Sequence, residues 1–279
     1  MQALKDLTES DFNLFRRLIY DQSGISLNPS KRELLRTRLR SRLEREKFSS
    51  YREYYKFVVA DKTGQALVPL LDDISTNLTS FYREINHFNY LNEILPEWIK
   101  RKQGERDNIF RIWSAGCSTG EEPYTIAFTM LSHLSDKAAN MSLKILATDL
   151  STDVLKKASE GVYRLDRMRD VPANVKRNYF IGEQGEKNSL LVRVHPMVRE
   201  LITFRRCNLM SEQFPFKNKF DFIFCRNVMI YFDKPTQETL VAKYYGVLKP
   251  GGYLFIGHSE SLTTIKHSYD YIMPTVYRK

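Results

Sequence analysis

Cysteine is scarce in this sequence of 279 residues, and the three cysteines stand far apart. Cys117, Cys207 and Cys225 form neither a disulfide framework nor a cluster of metal ligands, which favours a reducing cytoplasm. No apolar run approaches the roughly 20 residues of a membrane span, and the N-terminal residues lack the apolar core of a secretory signal. The five histidines are scattered, and we expect neither a His-x-x-x-His nor a Glu-x-x-His pair and therefore no metal site. These absences predict a cytoplasmic protein that does not insert into a membrane.

The charge is unbalanced, whereas the rest of the composition is ordinary. The formal net charge is +10, while 42% hydrophobic and 27% charged residues are typical of a globular protein. A basic surface attracts nucleic acid, anionic lipid or acidic protein segments. The net charge alone does not choose among these partners.

The sequence divides into a helical part and an α/β part. Residues 1–95 predict an all-α domain, in which Thr8 is a suitable N-cap for the first helix and Asn28-Pro29 opens a second. The charged run Lys100-Arg-Lys-Gln-Gly-Glu-Arg-Asp-Asn108 then predicts an exposed linker over residues 96–108.

Residues 109–279 alternate strands with helices, which predicts a doubly wound, Rossmann-like α/β domain with a parallel sheet. The predicted strands are Ile109–Ala115, Leu143–Thr148, Phe220–Cys225 and Tyr253–Ile256. Residues 161–203 interrupt the alternation. We predict a small antiparallel β-insertion there, with strands that include Leu190–Val194 and Leu201–Phe204.

The first polar signal follows the first predicted strand, in Trp113-Ser-Ala-Gly-Cys-Ser-Thr-Gly-Glu-Glu-Pro123. Glycines at a strand-to-helix turn let a ligand approach the backbone, and the helix N-terminus presents unpaired N–H groups. The segment is neither a Walker A loop nor a Gly-x-Gly-x-x-Gly fingerprint. By itself it is as consistent with an ordinary turn as with a ligand-binding loop.

Two further signals lie where predicted strands end. Asp149 ends the second strand, where doubly wound folds place a carboxylate that accepts hydrogen bonds from ribose hydroxyls; the alternative is that it only N-caps the helix at Thr152. Arg226 and Asn227 follow a buried strand and precede Tyr231-Phe232. Because ligands of open parallel sheets bind beyond the carboxyl ends of the strands, we interpret both positions as ligand-binding.

Four segments, in this order, resemble the CheR family of chemotaxis receptor methyltransferases. They are Thr76-Asn-Leu-Thr-Ser-Phe-Tyr-Arg-Glu84, Trp113–Tyr124, Ala147-Thr-Asp-Leu150 and Cys225–Asp233, and Leu248–Gly252 and Gly257–Ser261 agree as well. The resemblance covers nearly the whole chain. It implies methyl transfer from S-adenosyl-L-methionine to glutamate side chains on the cytoplasmic helices of chemoreceptors, which gives glutamyl methyl esters and S-adenosyl-L-homocysteine, without a metal.

The resemblance also implies a role for individual residues. It places cofactor contacts at Asn77, Thr79, Arg83, Gly116, Glu122, Asp149, Asn208, Leu209, Arg226 and Asn227. It places Arg83, Arg226 and Tyr231 at the reacting centre as catalytic residues. Arg83 would pair with the methionine carboxylate, Asp149 with the ribose, and Asn208-Leu209 with the adenine.

The implied chemistry needs no general base. A glutamate side chain has an ordinary pKa of about 4.3, so it is already an anion at neutral pH. The enzyme must align an oxygen with the methyl carbon and exclude water. One alternative is a nucleic-acid methyltransferase, which the charge would suit, although the sequence has no Asn/Asp-Pro-Pro-Tyr motif. The other is a signalling module that binds S-adenosylmethionine without catalysis.

Two regions are candidates for partner binding. The stretch from Lys31 to Lys47 holds eight Lys/Arg, which is either a solvated helix face or a surface that docks onto acidic receptor helices. In some CheR members the β-insertion binds the C-terminal peptide of the receptor. Here Arg193, Arg199 and Arg205 would attract its carboxylate; the alternative is a cover that binds nothing. We expect a monomer.

Overall fold

The computed structural model describes residues 6–74, 77–105, 107–137, 141–184 and 190–279. Its first part is helical, with α1 (Glu9–Ser23), a 3-10 turn (Pro29–Lys31), α2 (Arg32–Glu46), α3 (Tyr51–Ala60) and α4 (Leu67–Ile74). The Thr8 side chain caps α1 by accepting from Asp11 N, and Gly24 ends the helix with φ 73°. The predicted all-α region is confirmed, with its own core of apolar side chains from all four helices.

A seven-stranded sheet forms the centre of the rest of the chain. Its strands are β1 (Ile109–Ala115), β2 (Ser142–Asp149), β6 (Ile202–Arg206), β7 (Phe220–Cys225), β8 (Leu248–Ile256), β9 (Asp270–Met273) and β10 (Val276–Arg278). Their order is β6-β2-β1-β7-β8-β10-β9, and the first five run parallel. The predicted doubly wound α/β fold is confirmed, with a hydrophobic core on each face of the sheet.

The described part of the chain has six further helices. They are α5 (Asn86–Gly104), α6 (Glu121–Lys137), α7 (Thr152–Glu160), α8 (Ala173–Tyr179), α9 (Pro196–Arg199) and α10 (Lys234–Val247). In the described part of the chain, no helix is both long and apolar enough to cross a membrane.

The β-insertion is a three-stranded antiparallel sheet, as predicted, but one of its strands was assigned wrongly. It consists of β3 (Val162–Arg164), β4 (Phe180–Gln184) and β5 (Leu190–Val194), in the order β3-β5-β4. Of the segment predicted at Leu201–Phe204, the last three residues lie in β6 instead, which pairs in parallel with β2. Both sides of β5 are already occupied, so this next strand extends the edge of the large sheet.

The predicted linker at 96–108 is wrong for most of its length. Helix α5 continues to Gly104, and Leu91, Leu95, Trp98 and Ile99 pack on the core beneath the sheet. The charged residues lie on its other face, except Lys102, which is 1% exposed and lies 3.0 Å from the buried Asp221. The helix therefore packs with the sheet, and we place the boundary of the all-α domain before it.

We predict that Leu95→Ala lowers the free energy of unfolding by about 2–5 kcal/mol, because it leaves a cavity between α5 and the sheet. The matched control is Lys100→Ala, at an exposed position of the same helix, which should change the stability by no more than about 0.5 kcal/mol. Urea denaturation measures both. Equal effects of the two substitutions would mean that α5 does not pack as described.

Candidate functional site

A cavity of about 450 Å³ lies beyond the carboxyl ends of β1, β2 and β7. The loop between α1 and α2 forms its opposite wall. All eleven residues predicted for the site line it: Asn77, Thr79, Arg83, Gly116, Glu122, Asp149, Asn208, Leu209, Arg226, Asn227 and Tyr231. The sequence segments that carried the prediction therefore converge on one place. Thr76, which begins the first segment, lies outside the described residues.

The glycine turn after β1 is tied to the neighbouring strand. The backbone N–H groups of Gly116 and Cys117 donate to the carbonyl oxygen of Thr148, at 2.8 and 2.9 Å. Gly116 has φ 95°, and a Cβ atom there would overlap the side chain of Val228. Only glycine fits this turn, because both the left-handed backbone and the close contact exclude a side chain.

Asp149 at the end of β2 holds the same turn from the other side. Its Oδ2 accepts from Ser118 N at 2.9 Å and its Oδ1 from Ser151 N at 3.0 Å. The alternative that Asp149 caps α7 is wrong, because the N-cap is Ser151, whose side chain accepts from Val154 N. Burial raises the pKa of Asp149. A carboxylate has about four acceptor positions, so the hydrogen bonds from Ser118 and Ser151 do not saturate Asp149, which also lines the cavity.

The guanidinium of Arg226 lies beneath the cavity, and its side chain is 2% exposed. Nη2 lies 3.1 Å from Glu84 Oε2, and Nη1 lies 3.2 Å from Glu122 Oε2. Nη2 also donates to the carbonyl oxygen of Arg83, and the group stands over the ring of Phe88. These contacts occupy the guanidinium. Arg226 is therefore suited to hold the residues of the cavity wall in place and not to bind a ligand directly.

Glu122 on α6 connects this network to β1. Its Oε1 accepts from Ser114 Oγ at 2.6 Å, while Oε2 faces Arg226. Burial raises the pKa of Glu122, although Arg226 opposes the shift. A second acid, Glu84, faces the same arginine. For Glu84, the effect of burial is outweighed by Arg226, by Asn227 and by the backbone N–H of His258, and its pKa is held below its usual range.

Two acids of the site were missed by the sequence prediction. Glu84 Oε1 accepts from Asn227 Nδ2 at 3.2 Å, and both residues have left-handed backbones, with φ of 56° and 59°. Glu260 Oε2 accepts from the backbone N of Asn227 at 3.0 Å and Oε1 from Ile230 N at 3.1 Å. Both acids stand inside the segments quoted for the resemblance, but a sequence does not reveal which backbone groups a carboxylate will hold.

The wall formed by the helical domain was also missed. Ser26 N donates to the carbonyl oxygen of Tyr231 at 2.8 Å, and Asn208 Nδ2 donates to the carbonyl oxygen of Gln22 at 2.6 Å. Further cavity residues from this domain are Ile25, Leu27, Asn28, Lys31 and Leu34. These residues carry no motif and stand far from the strand ends in sequence, so no signal predicted them.

Two models of known protein families together match nearly all of the chain. Residues 77–277 match the family described as "CheR methyltransferase, SAM binding domain", and residues 10–75 match "CheR methyltransferase, all-alpha domain". The border between the two matches agrees with a boundary before α5.

Several relatives are similar over nearly their full length. A chemotaxis protein methyltransferase of Borreliella burgdorferi is 41% identical and covers 98% of this chain and 95% of the relative. Chemotaxis protein methyltransferase 2 of Pseudomonas aeruginosa is 39% identical, with 97% and 93% covered. The chemotaxis protein methyltransferase of Salmonella typhimurium is 37% identical, with 97% and 90% covered.

We predict that Arg226→Met lowers the free energy of unfolding by about 3–5 kcal/mol, because Glu84 and Glu122 lose the cation between them. Arg83→Met is the control at the same cavity, since Arg83 is only half-buried and its Nη1 donates to a single carbonyl oxygen. Arg83→Met should lower the free energy of unfolding by about 1 kcal/mol. Chemical denaturation gives both values.

A double variant completes this test. Adding Glu84→Gln to Arg226→Met removes one of the two unpaired charges, so the double variant should lose less stability than the sum of the single variants. Strict additivity, or an Arg226→Met variant as stable as Arg83→Met, would contradict the network.

Proposed function

The chain belongs to the CheR methyltransferase family, and from this membership and its cavity we propose that it transfers the methyl group of S-adenosyl-L-methionine to glutamate side chains of chemoreceptors. The observation that carries the proposal is the convergence of all eleven expected residues on one cavity at the carboxyl ends of parallel strands. The products would be glutamyl methyl esters and S-adenosyl-L-homocysteine, made in the cytoplasm, where these receptor helices lie.

The residues of the cavity suit this cofactor. Asp149 presents acceptor positions for a ribose diol, and Asn208-Leu209 lie beside it for the adenine. Arg83 is half-buried at the cavity and suits a carboxylate, because its planar fork matches two oxygens. Glu122 suits an ammonium group, since its carboxylate is buried against the same space. These groups match the polar groups of an adenosyl amino acid.

In the proposed reaction, S-adenosylmethionine supplies an electrophilic methyl group on a sulfonium. The chain itself has to hold the glutamate carboxylate in line with it and keep water away. Tyr231 and Arg83 line the cavity and are the candidates for this orientation. Arg226 would act through Glu84 and Asn227, by fixing the loop after β7, so we assign it a positioning role instead of the direct role that the resemblance implied.

Methyl transfer to receptor membranes tests the proposal. Label from a tritiated methyl donor should enter the receptor and be released as methanol by mild base, which cleaves esters but not N-methyl groups. Transfer to RNA or DNA instead would favour a nucleic-acid methyltransferase. Cofactor binding with no transfer to receptors of its own organism would favour the non-catalytic module.

The basic helix α2 is the proposed docking surface for acidic receptor helices, but only part of it is available. Arg42 is buried, and its guanidinium binds Asp73 at 2.5 Å and Glu46 at 2.7 Å. Arg38 donates to the carbonyl oxygens of Asp73 and Ile74 at the end of α4. Both residues therefore stabilise the helical domain, and docking rests on the exposed residues Lys31, Arg40, Arg45 and Lys47.

The β-insertion is the proposed site for a receptor C-terminal peptide, with a corrected edge. β5 is the central strand of the insertion and has no free edge, whereas Leu201–Phe204 belongs to the edge of the large sheet and not to the insertion. Arg193 and Arg199 donate to carbonyl oxygens at the end of α7, at 3.1 and 2.9 Å. The outer sides of β3 and β4 remain, since no described strand pairs with either, and we choose β4 because it has five residues and β3 only three. The loop between β4 and β5, residues 185–189, lies outside the described residues.

We expect one C-terminal peptide from the receptors of the same organism to bind with micromolar affinity. Calorimetric titration of the full chain measures this. Gly182→Pro should weaken binding, because the register of β4 with β5 points the N–H of Gly182 away from β5, and proline has no N–H to donate to the added strand. If no peptide binds, the insertion is only a cover.

We predict that Asp149→Ala weakens S-adenosylmethionine binding by about 10- to 100-fold, because hydrogen bonds to a charged acceptor are lost. Asp153→Ala is the control, since Asp153 is an exposed acid in the first turn of α7. Isothermal titration gives both affinities. An unchanged affinity in a folded Asp149→Ala variant would remove Asp149 from the cofactor site.

We predict that Arg40→Glu with Arg45→Glu slows receptor methylation about tenfold at low salt and leaves cofactor affinity unchanged, because docking is steered by charge. The difference should shrink at physiological salt, where screening limits such forces to about 8 Å. Arg16→Glu with Arg17→Glu makes the same charge change at exposed positions of α1. If both pairs slow the reaction equally, the effect belongs to the net charge and not to α2.

A further inference from the structure

Three side chains with metal-binding atoms meet beside the Arg226 network. The ligating atoms of Glu84, His87 and His258 all lie within 4.8 Å of one another. Glu84 and His87 stand three residues apart, a Glu-x-x-His spacing that the expectation of no metal site overlooked. His258 comes from the loop after β8, and its backbone N–H donates to Glu84 Oε1 at 3.1 Å. Two segments distant in sequence are thus held together at this point.

The orientation of His87 is fixed by Thr275. His87 is 1% exposed, and its Nε2 lies 2.6 Å from Thr275 Oγ1. The Thr275 hydroxyl donates to the carbonyl oxygen of Pro274 at 2.5 Å, so it accepts the hydrogen bond from His87. With the Thr275 hydroxyl donating in this way, we assign His87 the tautomer with its proton on Nε2 and a lone pair on Nδ1.

That lone pair faces another acceptor. His87 Nδ1 is buried, has no hydrogen-bond partner among the described residues, and lies 3.7 Å from Glu84 Oε2. A lone pair and a carboxylate oxygen repel each other unless a cation lies between them. Natural structures rarely leave a buried nitrogen unpaired, so this position suggests a ligand.

Two imidazole nitrogens and one carboxylate oxygen are ligands that Zn²⁺ and similar divalent transition ions prefer. Bonds of about 2.0–2.2 Å around a tetrahedral ion place the ligand atoms roughly 3.5 Å apart, close to the distance between Nδ1 and Oε2. His258 is exposed, so its ring can turn to complete the set. Thr275 supplies the outer hydrogen bond that ligating histidines usually have.

We propose that Glu84, His87 and His258 bind one divalent transition-metal ion, with Zn²⁺ as the best match, and that this ion inhibits methyl transfer. Inhibition follows because Glu84 also holds Arg226 and Asn227. An ion that draws on Glu84 Oε2 weakens this hold and moves the loop after β7. The binding stands on geometry alone, whereas the inhibition rests on the proposed function.

Metal titration of the full chain, freed of tags and treated with a chelator, tests the binding. Calorimetry with Zn²⁺ and the visible absorption of bound Co²⁺ should show one site. His258→Ala should weaken binding at least tenfold, while His267→Ala, at another exposed histidine, should not. Equal binding by the wild type and His258→Ala, or no stoichiometric binding, would overturn the site.

Receptor methylation tests the inhibition. Zn²⁺ at one equivalent should reduce wild-type activity several-fold, and it should reduce His258→Ala less, each relative to its own metal-free rate. A saturated wild-type enzyme that keeps its full rate would overturn the inhibitory role. If no receptor methylation is found at all, the proposed function fails, but the titrations still decide whether the metal site exists.

Discussion

The buried charge of Arg226 is the constraint on which the site depends. A guanidinium that is 2% exposed has to be paired, because an isolated charge in the interior costs more than the fold can supply. Its partners come from the turn before α5, from α6 and from the backbone of Arg83. These segments, brought together around the guanidinium, form one side of the cavity. Glu84 and Asn227 keep their strained left-handed backbones because their side chains are bound in this network.

Much of the fold could be predicted because the hydrophobic pattern of each segment matches the burial of that segment in the folded chain. Phe220–Cys225 is buried at every residue, and a fully buried strand is what a parallel sheet covered on both faces requires. The polar residues that follow such strands meet at one edge, which is why Asp149 and Arg226 were both found. The glycine turn alone was ambiguous, and the position of Gly116 against Val228 resolves why glycine stands there.

What could not be predicted depends on contacts between distant segments. The charges at the end of α5 resemble a linker, but Lys102 is held by Asp107 and Asp221, and only the sheet brings Asp221 there. Leu201–Phe204 follows the insertion in sequence and was assigned to it, whereas an open edge at β2 decides its pairing. Arg42 was counted as surface charge, and Asp73 on another helix draws it into the interior.

The cavity wall supplied by the helical domain has a thermodynamic consequence. The part of the cavity at Asn208 lies between the two domains, with Asn208 bonded to the backbone of Gln22 and Tyr20 bonded to Asp233 at 2.8 Å. A ligand seated there binds only the docked arrangement of the domains, so the measured affinity is the intrinsic affinity multiplied by the docked fraction. Contacts between the two domains, such as the hydrogen bond of Tyr20 to Asp233, would therefore raise the affinity for such a ligand by raising the docked fraction, although they do not touch the ligand. By the same linkage, a ligand bound in this cavity would favour the docked arrangement of the two domains over the separated one.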